Sequence, residues 1–284
     1  MKYLSLLLKG AVACCVIASF TCCNSGSKPP AKNNVSFDSL SVDKSYHIDN
    51  IEANPGCSLQ IKFVYPVVLE NKEMQTALQQ QFIASFFDDA YSQLSPQDAA
   101  AQYADDYLRN FEKEGKELIA EIENHDMHQD EEVFYESSLS VSNDIVYNRS
   151  GLLSFVVNTS YYAGGAHGGH NVTNRVLDIK TGQRIQEKDI FVDKYRDELA
   201  RILVDEIVKM YNLKEAADLE TIGFFDVNEI VPNGNFYVNE TGIAYTFNEY
   251  EVAAYAVGAV FVPIPYEKIR HILFREGPLA NIAF

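Results

Sequence analysis

Apolar residues fall at every second position from residue 58 to 65, where Leu59, Ile61, Phe63 and Tyr65 share one face and Gln60 and Lys62 the other. That alternation predicts a half-buried strand, and Pro66 limits its continuation as a central one. The period then changes. Met74, Leu78, Phe82 and Phe86, widened by Ile83 and Phe87, recur at helical spacing. Ser95-Pro96 opens a second predicted helix as cap and first-turn proline, with Tyr103, Tyr107, Phe111, Leu118 and Ile122 on its apolar side. These aromatic stripes read as core.

A polar joint follows at 125–132, where His125 and His128 stand among carboxylates. No periodic pattern supports a metal site there, so it reads as a solvated loop. Residues 133–162 read as antiparallel strands punctuated by turns at Asn143-Asp144 and 148–151. Val172, Val176, Leu177 and Ile179 predict another strand, turned at Lys180-Thr181-Gly182. Asp193 is the expected cap of a helix that buries Tyr195, Leu199, Ile202, Leu203, Ile207 and Met210, with Asp197 and Glu198 early and Lys209 late. Phe236-Tyr237-Val238 and 243–247 form a predicted hairpin through Asn239-Glu240-Thr241-Gly242, and 260–264 is a late strand. This order is not the regular βα alternation of a doubly wound sheet. It predicts an α+β fold with mostly antiparallel pairing, helices packed on one face, and two consecutive lobes. The halves are either lobes joined near residue 130 or parts of one continuous sheet.

The first 23 residues have the shape of a lipoprotein-type signal segment. Lys2 and Lys9 flank a leucine-rich run, an apolar stretch reaches Phe20, and Thr21-Cys22-Cys23-Asn24 closes it. Either Cys22 or Cys23 is the candidate for lipidation, which implies a bacterial cell envelope location with the membrane engaged by a lipid anchor only. Residues 24–43, rich in Ser, Lys, Pro and Asn, read as a flexible tether. Of five cysteines only Cys57 lies beyond the leader, so the fold rests on its hydrophobic core rather than on a disulfide framework. With 40 acidic against 23 basic residues the formal net charge is −17. Nucleic acid is a poor partner for such a surface, whereas a cationic protein is drawn to it.

The richest stretch is Tyr161-Tyr162-Ala163-Gly164-Gly165-Ala166-His167-Gly168-Gly169-His170. Glycines crowd a segment when the backbone needs positive φ or close approach, and two aromatics and two imidazoles on such a loop are suited to recognition. The candidate ligand-binding residues are Tyr161, Tyr162, Gly164, Gly165, His167 and His170, with Tyr250, Glu251 and Tyr255 from the tyrosine-rich C-terminal third. His167 is expected to pack on Tyr250 or Tyr255. No catalytic residue, metal ligand or cofactor is assigned. The alternative is a metal-assisted envelope hydrolase, deacetylase-like, using His167 and His170, with a carboxylate from Glu251 or Asp178. No Gly-x-Ser-x-Gly, His-Glu-x-x-His or phosphate-binding loop occurs.

Several ordered motifs carry a family resemblance. They are 162–168, Leu177-Asp178-Ile179-Lys180-Thr181-Gly182 with Asp189-Ile190-Phe191, Phe247-Asn248-Glu249-Tyr250-Glu251, 254–258 and Pro263-Ile264-Pro265-Tyr266. Together with Tyr65-Pro66 before a helix, the chain resembles the RsiV/PdaC-like module pair of lysozyme-sensing anti-sigma factors and peptidoglycan deacetylases. Ala163 stands where that family commonly has Thr. The resemblance implies an N-terminal PdaC-like α+β module at 44–140 and a C-terminal RsiV-like α+β module at 141–284. The family's catalytic deacetylase signature is absent from the sequence. The resemblance therefore implies sensing or binding of a cell-wall glycan or of a lysozyme-like cationic protein, without hydrolysis.

Overall fold

The computed structural model describes residues 31–124 and 136–284. The signal segment with Cys22 and Cys23, and the polar joint at 125–132, lie outside the described residues. The first lobe is a five-stranded sheet in the order β1 (Ser36–His47), β2 (Gly56–Val68), β3 (Glu136–Arg149), β4 (Leu152–Ala163), β5 (Gly169–Asp178). All pairs are antiparallel except β2 with β3, whose crossover runs through helices α1 (Lys72–Phe86) and α2 (Pro96–Asn124). The Asn71 side chain caps α1 by accepting the N–H groups of Glu73 and Met74, at 2.9 and 3.2 Å. Ser95 caps α2 through the Asp98 N–H at 3.1 Å. The aromatic stripe of α1 packs on the sheet as expected, with Phe82 stacked 3.9 Å from Phe155 and Phe86 4.6 Å from Phe63. Among the described residues no helix is long and apolar enough to cross a membrane.

The second lobe holds α3 (Glu187–Ile190), α4 (Arg196–Met210), an antiparallel sheet of β6 (Phe236–Val238), β7 (Gly242–Phe247) and β8 (Val260–Pro265), then α5 (Tyr266–Ile269) and α6 (Ala280–Ala283). The architecture is α+β in two lobes with mostly antiparallel sheets. Leu153, Phe155 and Leu177 of the first sheet face the α1/α2 core, while Leu152 and Val176 point the other way into the core of the second lobe. One sheet thus supplies a wall to both.

Three sequence expectations are corrected. Residues 36–43, assigned to the tether, are strand β1; Leu40 and Val42 alternate, Phe37 falls out of phase beside a register shift, and all three pack against the helical core. Asn143-Asp144 is not a turn but the middle of β3. Parallel pairing with β2 ends at Lys62 opposite Ser142, and there the Asn143 side chain takes over the ladder. It accepts the Val64 N–H and donates to the Val64 carbonyl, both at 2.8 Å, as a backbone amide would. Finally, the expected division at 140/141 cuts through β3, because the sheet begun by β1 and β2 is completed only at Asp178 by β5. Alternation reveals strands, not their partners.

The outer edge of β5 is sealed by the second lobe. The Asn248 side chain accepts the Val172 N–H at 2.7 Å and donates to the Val172 carbonyl at 3.2 Å. Asn235 donates to that carbonyl at 2.9 Å and accepts the Asn174 N–H at 2.7 Å. The Ile185 N–H and the Gln183 carbonyl serve Val176 and Asp178 further along. Buried Asn174 returns the favour by donating to Thr246 Oγ1 at 2.7 Å and to the Asn235 carbonyl at 3.2 Å. Inside the second lobe, buried Glu187 receives the hydroxyls of Tyr195 at 2.7 Å and Tyr245 at 3.0 Å.

Two outcomes follow. Asn174→Ala leaves Thr246 and the Asn235 carbonyl short of a donor and should cost about 1–3 kcal/mol in denaturant unfolding; an unchanged midpoint contradicts the seam's role. Burial, then the bond to and charge of Glu187, push the Tyr195 hydroxyl from its ordinary 10.0 up to about 12, and Tyr245 is pushed up in the same way. The folded state therefore holds protons that the unfolded state releases. This stability is complete below pH 10.0 and falls as pH rises through about 12, and Tyr195→Phe should flatten that fall in pH-dependent melts.

Candidate functional site

β4 ends at Ala163 and β5 begins at Gly169, so the glycine loop is a tight connection at one end of the first sheet. Gly164 and Gly165 take φ of +84° and +90°, a region where a side chain would be strained. The need for Gly168 and Gly169 is different: it is close approach. A Cβ at Gly168 would stand 2.5 Å from the Tyr161 carbonyl oxygen, and one at Gly169 would stand 2.5 Å from the Tyr161 ring and hydroxyl. Tyr162 fastens the loop by donating its hydroxyl to the Gly165 carbonyl at 2.9 Å.

This geometry presents His167 to the second lobe. Its ring stacks on Tyr255 at 4.0 Å between centroids with a 19° interplanar angle, and Tyr255 stacks in turn on Tyr250 at 5.7 Å and 26°. The result is a three-ring ladder, His167–Tyr255–Tyr250, built across the lobe junction. His167 Nδ1 lies 2.8 Å from the Gly168 carbonyl, to which it donates its N–H. His170 is engaged elsewhere. Its Nδ1 lies 2.9 Å from Glu249 Oε1, while its backbone N–H donates to Glu249 Oε2 at 3.0 Å.

The ladder lies open to solvent. Tyr250 is 58% exposed and Tyr161, beside the loop, 51%. Tyr250 holds φ of +63°, unusual for a bulky residue. The turn that imposes it is clamped by Glu251, which accepts the Asn248 N–H at 2.8 Å and the Asn233 amide at 2.6 Å. The strained backbone of this exposed aromatic is thus held by the hydrogen bonds of its own turn.

Of the nine candidates, the structure brings Tyr161, Tyr162, Gly164, Gly165, His167, His170, Tyr250 and Tyr255 to one end of the molecule. Glu251 faces its own turn, and neither it nor Asp178 is the carboxylate beside an imidazole; that residue is Glu249. Glu249 and Asn248 went unassigned because their roles depend on pairing with residues 79 and 76 positions away. Among the described residues no three His, Cys, Asp or Glu side chains are grouped to hold a metal ion.

Gly168→Ala and Gly169→Ala should each push Tyr161 aside, unseat the His167–Tyr255 stack and cost roughly 1–3 kcal/mol. With 17 tyrosines and no tryptophan, near-ultraviolet circular dichroism reads the tyrosine environment directly. Unaltered spectra and melting in both variants would contradict this packing.

Comparison with known proteins follows the same division. The family described as "Deacetylase PdaC" matches residues 54–170, and the one described as "Protein of unknown function (DUF3298)" matches residues 188–267. A solved member of the DUF3298 family from Bacteroides fragilis is 26% identical, with a TM-score of 0.81 over 90% of this chain and 99% of its own. A DUF3298 family protein from Pseudomonas aeruginosa is 13% identical, with a TM-score of 0.57 over 86% of this chain and 96% of its own, a likeness of fold alone. No curated protein matches the chain. His167 and His170 fall in the first matched segment and Glu249, Tyr250 and Tyr255 in the second, so the ladder is assembled from both. The chain is thus similar to the PdaC family over its first matched segment and to the DUF3298 family over its second, within a two-lobed α+β fold.

Proposed function

We propose that this protein is a non-catalytic binding lipoprotein of the bacterial cell envelope, anchored through Cys22 or Cys23, that grips a cationic protein of the lysozyme kind. The observation that carries this reading is the solvent-open ladder of His167, Tyr255 and Tyr250, fixed by the loop on one side and the turn on the other. Rigid aromatic faces give large contact area at little entropic cost, and they receive guanidinium and ammonium groups well. The net charge of −17 has the sign that steers a basic partner toward them. The two imidazoles work apart, His167 on Tyr255 and His170 on Glu249, which favours a contact surface over the metal-assisted hydrolase.

Surface plasmon resonance against a basic lysozyme should give binding that weakens steeply between low and high salt. Tyr255→Ala and His167→Ala should each weaken it about tenfold or more, the behaviour of a central aromatic anchor. No capture at low ionic strength removes this partner. Capture of cell-wall glycan instead, insensitive to salt and lost in Tyr255→Ala, would move the ladder's ligand to the sugar class.

A further inference from the structure

A second feature lies toward the C-terminal end of β5, where Leu177 bridges to Arg184. Arg149, Arg196, Arg201 and Lys268 each pair with a carboxylate. Arg175, Arg184 and Lys188 form no such pair among the described residues, and what sets them apart from other unpaired cations is that they lie together. Burial, then the Arg184 charge, pull the Arg175 guanidinium down to about 10 against the opposing pull of Asp89. Arg175 donates to Ser85 Oγ at 3.2 Å and to the Asn174 carbonyl at 2.9 Å. Arg184 makes one long bond, to the Gly234 carbonyl at 3.5 Å.

Arg184 and Lys188, with Gln186, Tyr195 and Gly234, line a hollow of about 370 Å³. Glu187 also borders it, but both its oxygens are occupied. Oε1 accepts from the Tyr245 hydroxyl at 3.0 Å and the Gly234 N–H at 2.9 Å; Oε2 accepts from the Tyr195 hydroxyl at 2.7 Å and from Arg196 at 3.4 Å. The charge left facing the hollow is positive. Gathering unpaired cations is unfavourable by itself, and an oxyanion offsets it through charge-assisted hydrogen bonds.

We propose that this hollow binds a small ligand bearing a phosphate or carboxylate group, gripped by the Arg184 fork and the Lys188 ammonium with Arg175 behind them. Its volume suits a sugar-sized body carrying one such group. The acidic surroundings keep extended polyanions away. The site is independent of the ladder and stands or falls separately from the binding function proposed above.

Titration calorimetry of the purified protein at low ionic strength, with inorganic phosphate and separately with glucuronate, tests it. Saturable binding of at least one is expected, weakened about tenfold or more by Arg184→Gln or Lys188→Gln. Both side chains are exposed, so melting should be unchanged. Binding of phosphate alone identifies a phosphate-bearing ligand, of glucuronate alone a carboxylate, and of both the shared class. In the unmutated protein, nuclear magnetic resonance shifts caused by the bound probe should centre on Arg184 and Lys188. No saturable binding of either probe, binding retained in the double variant, or shifts centred elsewhere would overturn the proposal.

Discussion

A strand edge that is neither paired nor wet must find other partners for its amides and carbonyls, and β5 meets that constraint with side chains. Asn248 and Asn235 act as surrogate backbone against Val172 and Asn174, and Glu249 does the same for His170. The first sheet is therefore continued by amide groups instead of a sixth strand. The second lobe cannot slide along β5 without breaking several directional bonds, because each has a fixed register. Apolar burial of Leu152 and Val176 supplies the non-directional part of the same junction.

The placement of the aromatic ladder is a consequence. Asn248, Glu249 and Tyr250 are consecutive, so the residues that lock onto β5 also deliver Tyr250 to the loop at its start. Tyr255 comes from the same segment and meets His167 from the other lobe. The glycines allow the loop to lie flat against Tyr161, and the strained Tyr250 backbone is held by the Glu251 clamp. A surface made this way is pre-organised, and in the proposed binding role a partner would not have to order it.

Local periodicity made much of this legible. The alternation around Phe63, the helical stripe through Phe82 and the hairpin at Gly242 are set by which face is buried, and that leaves a trace in the sequence. The packing of His167 on tyrosine was also accessible, since a glycine loop with exposed imidazoles needs a neighbouring surface. What stayed hidden is non-local. The apolar residues of β1 are few and only partly buried, with Phe37 out of phase, and Asn143 looks like punctuation until Val64 is placed beside it. The same holds for Asn235 and Asn248, turn-forming residues by type, whose function lies in a strand that is distant in sequence.

Amide hydrogen exchange on the native protein tests the central claim most directly, because it reads the two edges of one sheet separately. If the second lobe closes β5 as described, the Val172 and Asn174 amides should be protected to near the level of global unfolding, while outward-facing amides of β1 exchange quickly. Val172 and Asn174 exchanging as fast as the open β1 edge would show that the asparagine seam does not hold, and the ladder would lose the support that positions it.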